Sequence, residues 1–168
     1  MASGAPVVQL QRIMAPQTGF AVPYITLGAS TPAEAMIGWA FKDSATCYLD
    51  YLVTLKGYSG GGLTLKLGWT ALTASNDCKW QAAFRRIVAS SSDLDTTAFT
   101  YDYNNVVTAA PGTVGMLKYD NITFTNGADM DSLADGESAI LRIKRDPADG
   151  SDTLENTAIL LTLLGYET

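Results

Sequence analysis

The side chains best equipped for chemistry are carboxylates gathered in turns. Asp146, Asp149 and Asp152 surround Gly150 and offer hard oxygen ligands of the kind calcium takes. Their spacing does not reproduce the ligand positions of an EF-hand loop, so a solvated turn is the expected reading. Asp129, Asp131, Asp135 and Glu137 form a second acidic group with the same weakness. Within it, Asp131 to Gly136 reads as a single helical turn capped by aspartate and closed by glycine. A pair of carboxylates can act as acid and base in glycoside cleavage. Here, however, the candidate acids lie in turn-rich loops or alternate with lysine on a strand. Asp50, between Leu49 and Tyr51, is the acid set in an apolar strand, and its even position turns it outward. No catalytic residue, metal-ligand set or cofactor is expected, and the chain reads as a non-enzyme.

Other residue types narrow the field further. The chain has no histidine, which removes the usual general base and excludes Ser/His/Asp and Cys/His catalysis. Cys47 and Cys78 are expected to be reduced and buried as small hydrophobes, with a single bridge as the alternative. Gly60-Gly61-Gly62 is not followed by Gly-Lys-Ser/Thr, so it reads as a flexible hairpin rather than a phosphate loop. Tyr48, Tyr51, Tyr58, Tyr101 and Tyr103 could stack on sugar faces, although core and interface roles are the expectation. Asn121-Ile122-Thr123 is a formal glycosylation sequon, relevant only on a secretory route.

A net charge of -6 and a pI near 4.4 argue against a nucleic-acid binder, which needs a basic stripe to release counterions. Arg142, Lys144 and Arg145 are the one basic cluster. Arg142 and Lys144 share a strand face, expected at a solvated edge or a subunit salt bridge. The longest apolar run, Ala158 to Gly165, is too short to span a bilayer, and Met1 to Pro6 lacks the features of a signal peptide. A reducing cytoplasm is the expected place of assembly.

The elements that would position these groups are strands. Cys47 to Leu55 and Leu63 to Trp69 place apolar groups at odd positions and mostly polar ones at even positions, the period of half-buried strands. Strands are expected over 37–42, 46–56, 63–71, 79–89, 116–125, 138–145 and 157–166, with a weaker one over 103–108. The 79–89 segment also matches helical spacing through Trp80, Phe84, Ile87 and Val88, but its neighbours are all β. The fold class is therefore all-β, a jelly-roll-like antiparallel β-sandwich of about eight strands spanning 36–168. At 168 residues such a domain buries about 70% of its unfolded surface. The composition is 47% hydrophobic and only 17% charged, below the roughly 25% charge of ordinary domains, which favours a protein partly covered by partners.

Residues 1–35 differ. They hold Pro6, Pro16, Pro23 and Pro32 and carry only Arg12 and Glu34 as charges. Thr31-Pro32-Ala33-Glu34 reads as the start of a short helix. Apolar strand-like runs broken by proline suggest an extended N-terminal arm that pairs with a neighbour's sheet edge, or else an edge strand of its own sandwich. Val7, Val8, Leu10, Arg12, Ile13, Phe20, Val22 and Tyr24 are its candidate interface contacts, with a neighbouring subunit or a partner.

A resemblance gives those contacts a setting. Trp39-Ala40-Phe41, Leu49-Asp50-Tyr51, Gly60 to Leu65 with Trp69, Trp80 to Phe84, Met130 to Gly136 and Leu141 to Asp146 together resemble the small jelly-roll virion proteins of tailed bacteriophages. Such proteins occur as capsid decoration (cement) subunits and as heads of spikes or fibres. The resemblance, over 36–168, implies a homotrimer on the outer surface of the virion, bound to the major capsid protein, with no nucleic acid or membrane partner. The leading expectation is a cement subunit that bridges capsid subunits and stabilises the head. The alternative is a receptor-binding or glycan-binding head of a tail fibre or spike.

Overall fold

The computed structural model describes residues 5–14, 18–25, 36–95 and 100–168. Ten strands run in chain order: β1 (Val8–Met14), β2 (Val22–Ile25), β3 (Ile37–Phe41), β4 (Cys47–Leu55), β5 (Leu63–Ala71), β6 (Asp77–Ile87), β7 (Asn104–Ala109), β8 (Lys118–Phe124), β9 (Ser138–Arg145) and β10 (Ala158–Glu167). They form two five-stranded sheets, ordered β1-β4-β9-β6-β7 and β2-β3-β10-β5-β8, with antiparallel pairing throughout. The chain passes from one sheet to the other at most of its connections, which makes the sandwich a jelly roll.

The period-two pattern explains which face each strand buries. Leu63, Leu65, Leu67, Trp69 and Ala71 of β5 are wholly buried, as are Leu49, Val53 and Leu55 of β4, Trp80 and Ala82 of β6, and Leu141 and Ile143 of β9. The two sheets meet through aromatic edges. Trp80 packs T-shaped on Phe41 at 4.9 Å and on Trp69 at 5.6 Å between ring centroids, and Phe84 meets Phe124 at 5.0 Å. Each such side chain contributes roughly 1.5–3 kcal/mol by leaving water. Cys47 and Cys78 are buried and unbridged.

β6 is a strand, as its surroundings suggest: it pairs with β7 and β9, and its even positions Trp80, Ala82 and Phe84 are buried toward the opposite sheet. Eight strands, β3 to β10, lie within 36–168 as expected, and the described residues before them add β1 and β2. β1 pairs with β4 and β2 with β3, so this segment forms edges of its own sandwich. Val7 is wholly buried, donates to Gly165 O at 3.0 Å, and accepts from Lys56 N at 2.9 Å. Gly165 permits this, because a Cβ there would lie 2.3 Å from a Val8 methyl. Gly19, at φ +70°, brings the chain against β4, where a Cβ would meet Thr46 O at 2.7 Å. Tyr48 N then donates to Gly19 O at 2.6 Å, and Ala21 N to Tyr48 O at 2.8 Å.

The glycine-rich 57–62 connection is no hairpin, because β4 and β5 belong to different sheets. Its Ser59 and Gly61 amides both donate to Glu167 Oε1 at 2.9 Å, tying the inter-sheet crossing to the end of β10. The short helical turn lies at Ala128–Met130, before Asp131. Asp131 and Ser132 adopt left-handed backbone at φ 51° and 54°, which ends the turn instead of starting one. The helix start read at Thr31 to Glu34 lies outside the described residues. No helix among the described residues is long and apolar enough to cross a membrane.

Candidate functional site

The outer face of the β1-β4-β9-β6-β7 sheet carries the densest group of chemically distinctive side chains. Two rows of register neighbours build it: Asp50, Arg142 and Ala83, then Tyr48, Lys144, Gln81 and Asn105. Directly opposed residues on one face lie within side-chain reach. Arg142 donates from Nε to Asp50 Oδ1 and from Nη2 to Oδ2, both at 2.7 Å, a planar fork on a carboxylate. Partial burial opposes the guanidinium charge, but the hydrogen bonds and charge of Asp50 outweigh it and raise the arginine pKa.

Tyrosines close over this pair. The Arg142 guanidinium carbon lies 4.2 Å from the Tyr101 ring centre and 4.9 Å from that of Tyr48, within cation–π range. Lys144 Nζ lies 5.2 Å from Tyr103, and the Tyr101 and Tyr103 rings are 6.0 Å apart at 28°. All three tyrosines are half-buried. Burial pushes the Tyr101 phenol up to about 12 and raises that of Tyr103, so both hydroxyls stay neutral donors and acceptors. The Gln81 amide oxygen on this face is buried with no hydrogen-bond partner among the described residues.

Charge on the face is largely neutralised. Asp50 answers Arg142, and Asp146 answers Lys144 at 3.1 Å while accepting from the Thr46 hydroxyl at 2.9 Å. Burial raises the Asp146 pKa, but hydrogen bonds from Lys144 and Thr46 outweigh it and hold it below the usual carboxylate range. Flat aromatic faces, a planar cation and neutral hydroxyls form a surface for stacking and hydrogen bonding. Asp50 is locked to Arg142, which leaves it unsuited to proton transfer. Arg142 and Lys144 do share a face as read from the sequence, but β9 is an interior strand of its sheet and not a solvated edge.

The other sequence candidates are dispersed. Tyr51 points into the core, and burial raises its phenol to about 12. Tyr58 is buried at one end of the sandwich. The three carboxylates around Gly150 point apart: Asp146 to Lys144, Asp149 to Lys79 at 2.7 Å, and Asp152 to Arg145 at 2.9 Å inside the sandwich. In the second acidic group, Asp129 accepts from Thr125 N, Asp131 pairs with Arg85, Asp135 accepts from Tyr58 N, and Glu137 pairs with Arg86. Among the N-terminal candidates, Val7 is core and Val8 packs against the core. Phe20 packs tilted against Trp39 at 5.6 Å, Tyr24 is half-buried, Arg12 is exposed, and Leu10, Ile13 and Val22 remain about 40% exposed along edge strands. The Asp50–Arg142 pair was missed in sequence because its partners lie 92 residues apart. The outward parity of both positions was its one visible signal.

No protein-family model matches the chain, and no curated protein sequence does. Among solved structures, TmCBM61 in complex with β-1,4-galactotriose aligns at TM-score 0.42 and 9% identity, over 94% of this chain and 88% of that one. The chain is more similar to the CBM22-1 xylan-binding domain from Paenibacillus barcinonensis Xyn10C, at TM-score 0.53 and 9% identity over 99% of this chain and 97% of that domain. At that identity the likeness is one of fold: a jelly-roll β-sandwich covering the chain nearly end to end.

Proposed function

We propose that this protein is a non-catalytic glycan-binding β-sandwich whose outer β4-β9-β6 face receives neutral sugar rings. The observation that carries the reading is the aromatic layer of Tyr48 and Tyr101 held on Arg142, itself fixed by Asp50, and of Tyr103 held on Lys144. Pyranose faces stack on flat aromatics, while hydroxyls bond to phenols, the guanidinium and the unpartnered Gln81 oxygen. Because the ion pairs cancel, uncharged glycans suit the face better than acidic ones. A sandwich fold like that of a xylan-binding domain supports the reading.

Calorimetric titration with neutral oligosaccharides, xylo- and galacto-series first, tests it. Tyr101→Ala and Tyr103→Ala should each weaken binding about tenfold, the equivalent of roughly 1.4 kcal/mol, without changing the fold. Unchanged binding in both variants, or no binding by any neutral glycan, rejects this face.

A second reading, a capsid decoration subunit acting as a trimer on a major capsid protein, draws on one observation. Leu10, Ile13 and Val22 expose apolar surface on edge strands β1 and β2, where a neighbour could add strand and bury area. Light scattering and capsid co-sedimentation of a Leu10→Asp/Ile13→Asp variant test it: loss of both trimer and capsid binding supports this reading, and retention of both rejects it. On a tail fibre or spike head, the glycan face would instead serve host recognition.

A further inference from the structure

A separate concavity lies at one end of the sandwich, where the 57–62 crossing meets the loop between β8 and β9. It encloses about 360 Å³, the small end of the roughly 300–1,000 Å³ range of ligand pockets, and the scale of one sugar ring rather than a chain. Leu133 and Tyr58 are almost wholly buried beneath it, while Asn126, Ser132 and Asp135 stand exposed around it.

The polar rim is pre-set. The Tyr58 hydroxyl accepts from Gly62 N at 3.1 Å and donates to Asn126 Oδ1 at 3.1 Å. With its oxygen committed, the Asn126 amide group is left to donate, and a Cβ on Gly60 would lie 3.6 Å from Nδ2, which places that nitrogen beside the mouth. Asp135 Oδ1 accepts from Tyr58 N at 3.0 Å, leaving its second oxygen to accept. Successive left-handed residues at Asp131 and Ser132 fold the opposite wall, and Asp131 is held there by Arg85 Nη1 and Arg86 N at 2.6 and 2.9 Å. Backbone held in sparsely populated regions tends to collect at ligand sites.

From this geometry we infer that the end pocket is a second binding site, one that takes a single neutral polyhydroxylated ring, such as a terminal or free monosaccharide. Two adjacent ring hydroxyls bridge the Asn126 amide, which donates, and the Asp135 carboxylate, which accepts, while an apolar ring face rests against Ala134, which lines the cavity and is exposed. The carboxylate disfavours acidic sugars. The site does not depend on the sheet face, and occupancy of either leaves the other open.

The test is an amide-resolved NMR titration of the full chain with glucose, galactose, xylose and N-acetylglucosamine. At least one sugar should saturate shifts at residues 58–60, 126–127 and 132–135 with a millimolar Kd. Tyr101→Ala should leave those shifts unchanged. Ala134→Trp, which fills the mouth from an exposed position, should abolish them, and Asn126→Ala should weaken binding about tenfold should the tryptophan variant misfold. Shifts confined to residues 48, 101–103 and 142–144, or no saturating shift with any of the four sugars, overturn the second site. The former outcome would leave the sheet-face reading intact.

Discussion

Strand β9 presents two arginine–aspartate pairs three residues apart, one to each side of its sheet. Arg145, inside, is wholly buried and spends all five N–H donors: two on Asp152, and one each on the carbonyls of Phe41, Leu154 and Asn156. Arg142, outside, gives two donors to Asp50 and turns its planar faces to Tyr48 and Tyr101. The same side-chain pair thus does different work on the two faces. The inner pair is saturated and ties the end of β9 to the 152–156 loop and the end of β3. The outer pair keeps donor capacity beyond what its carboxylate needs, which suits the proposed glycan face.

Breaking the inner pair should have the largest effect. Arg145→Met strands a buried Asp152 and three carbonyls, and should cost about 3–5 kcal/mol in urea denaturation. Adding Asp152→Leu should recover only the part due to the unpaired buried carboxylate, because the three carbonyls stay without Arg145 and the Lys79 amide loses its acceptor. Arg142→Met should cost less, about 1–2 kcal/mol, yet abolish the tyrosine-dependent glycan binding that Arg145 variants with an intact outer face retain. If Arg142→Met is the more destabilising of the two, the contrast between the faces fails.

Acid sharpens the comparison more gently. Hydrogen bonds from Lys79 and Ser151 N lower the Asp149 pKa, those from Ala134 N and Arg86 lower Glu137, and those from Ser59 and Gly61 N lower Glu167. Depressed folded values mean stability that is fully present above the ordinary 3.8 and 4.5 and lost as pH falls through the lowered values. The melting temperature should therefore hold down to pH 4.5 and decline below it.

The smallest effect separates two tyrosines. Tyr51 on the inner face and Tyr101 on the outer both titrate near 12, against an ordinary value of 10. Raised phenol values stabilise the fold below pH 10 and lose that contribution as pH climbs towards 12. A saturating neutral glycan should raise the Tyr101 midpoint further, read by phenolate absorbance in single-tyrosine-to-phenylalanine variants, and leave that of Tyr51 unmoved.

Most of the architecture was legible because alternation is a local signal. Leu63, Leu65, Leu67 and Trp69 declare their face without knowledge of any partner strand, and Asp50 was placed outward on the same ground. What escaped depends on pairing between distant strands. Nothing near Gly60 reveals that β4 and β5 lie in different sheets, and prolines at 6, 16 and 23 suggest a loose arm although Val7 is core. Proline costs one donor, and edge strands tolerate that loss on their open side. The tyrosine platform was visible as residue types but not as a place, since Tyr101 and Tyr103 precede β7 while their cations sit on β9.

The alternation of strands between sheets also sets an order of events in time. Asp50 and Arg142 are 92 residues apart, so β4 meets its neighbour β9 only by closing a loop of chain that contains β5 to β8. Domains dominated by such distant pairings fold in milliseconds to seconds, because chain closure is paid before contacts reward it. The Asp50–Arg142 pair and the tyrosines over it therefore come together only once this long-range pairing has formed. A sandwich with β9 unplaced would present these tyrosines without the cation that fixes them.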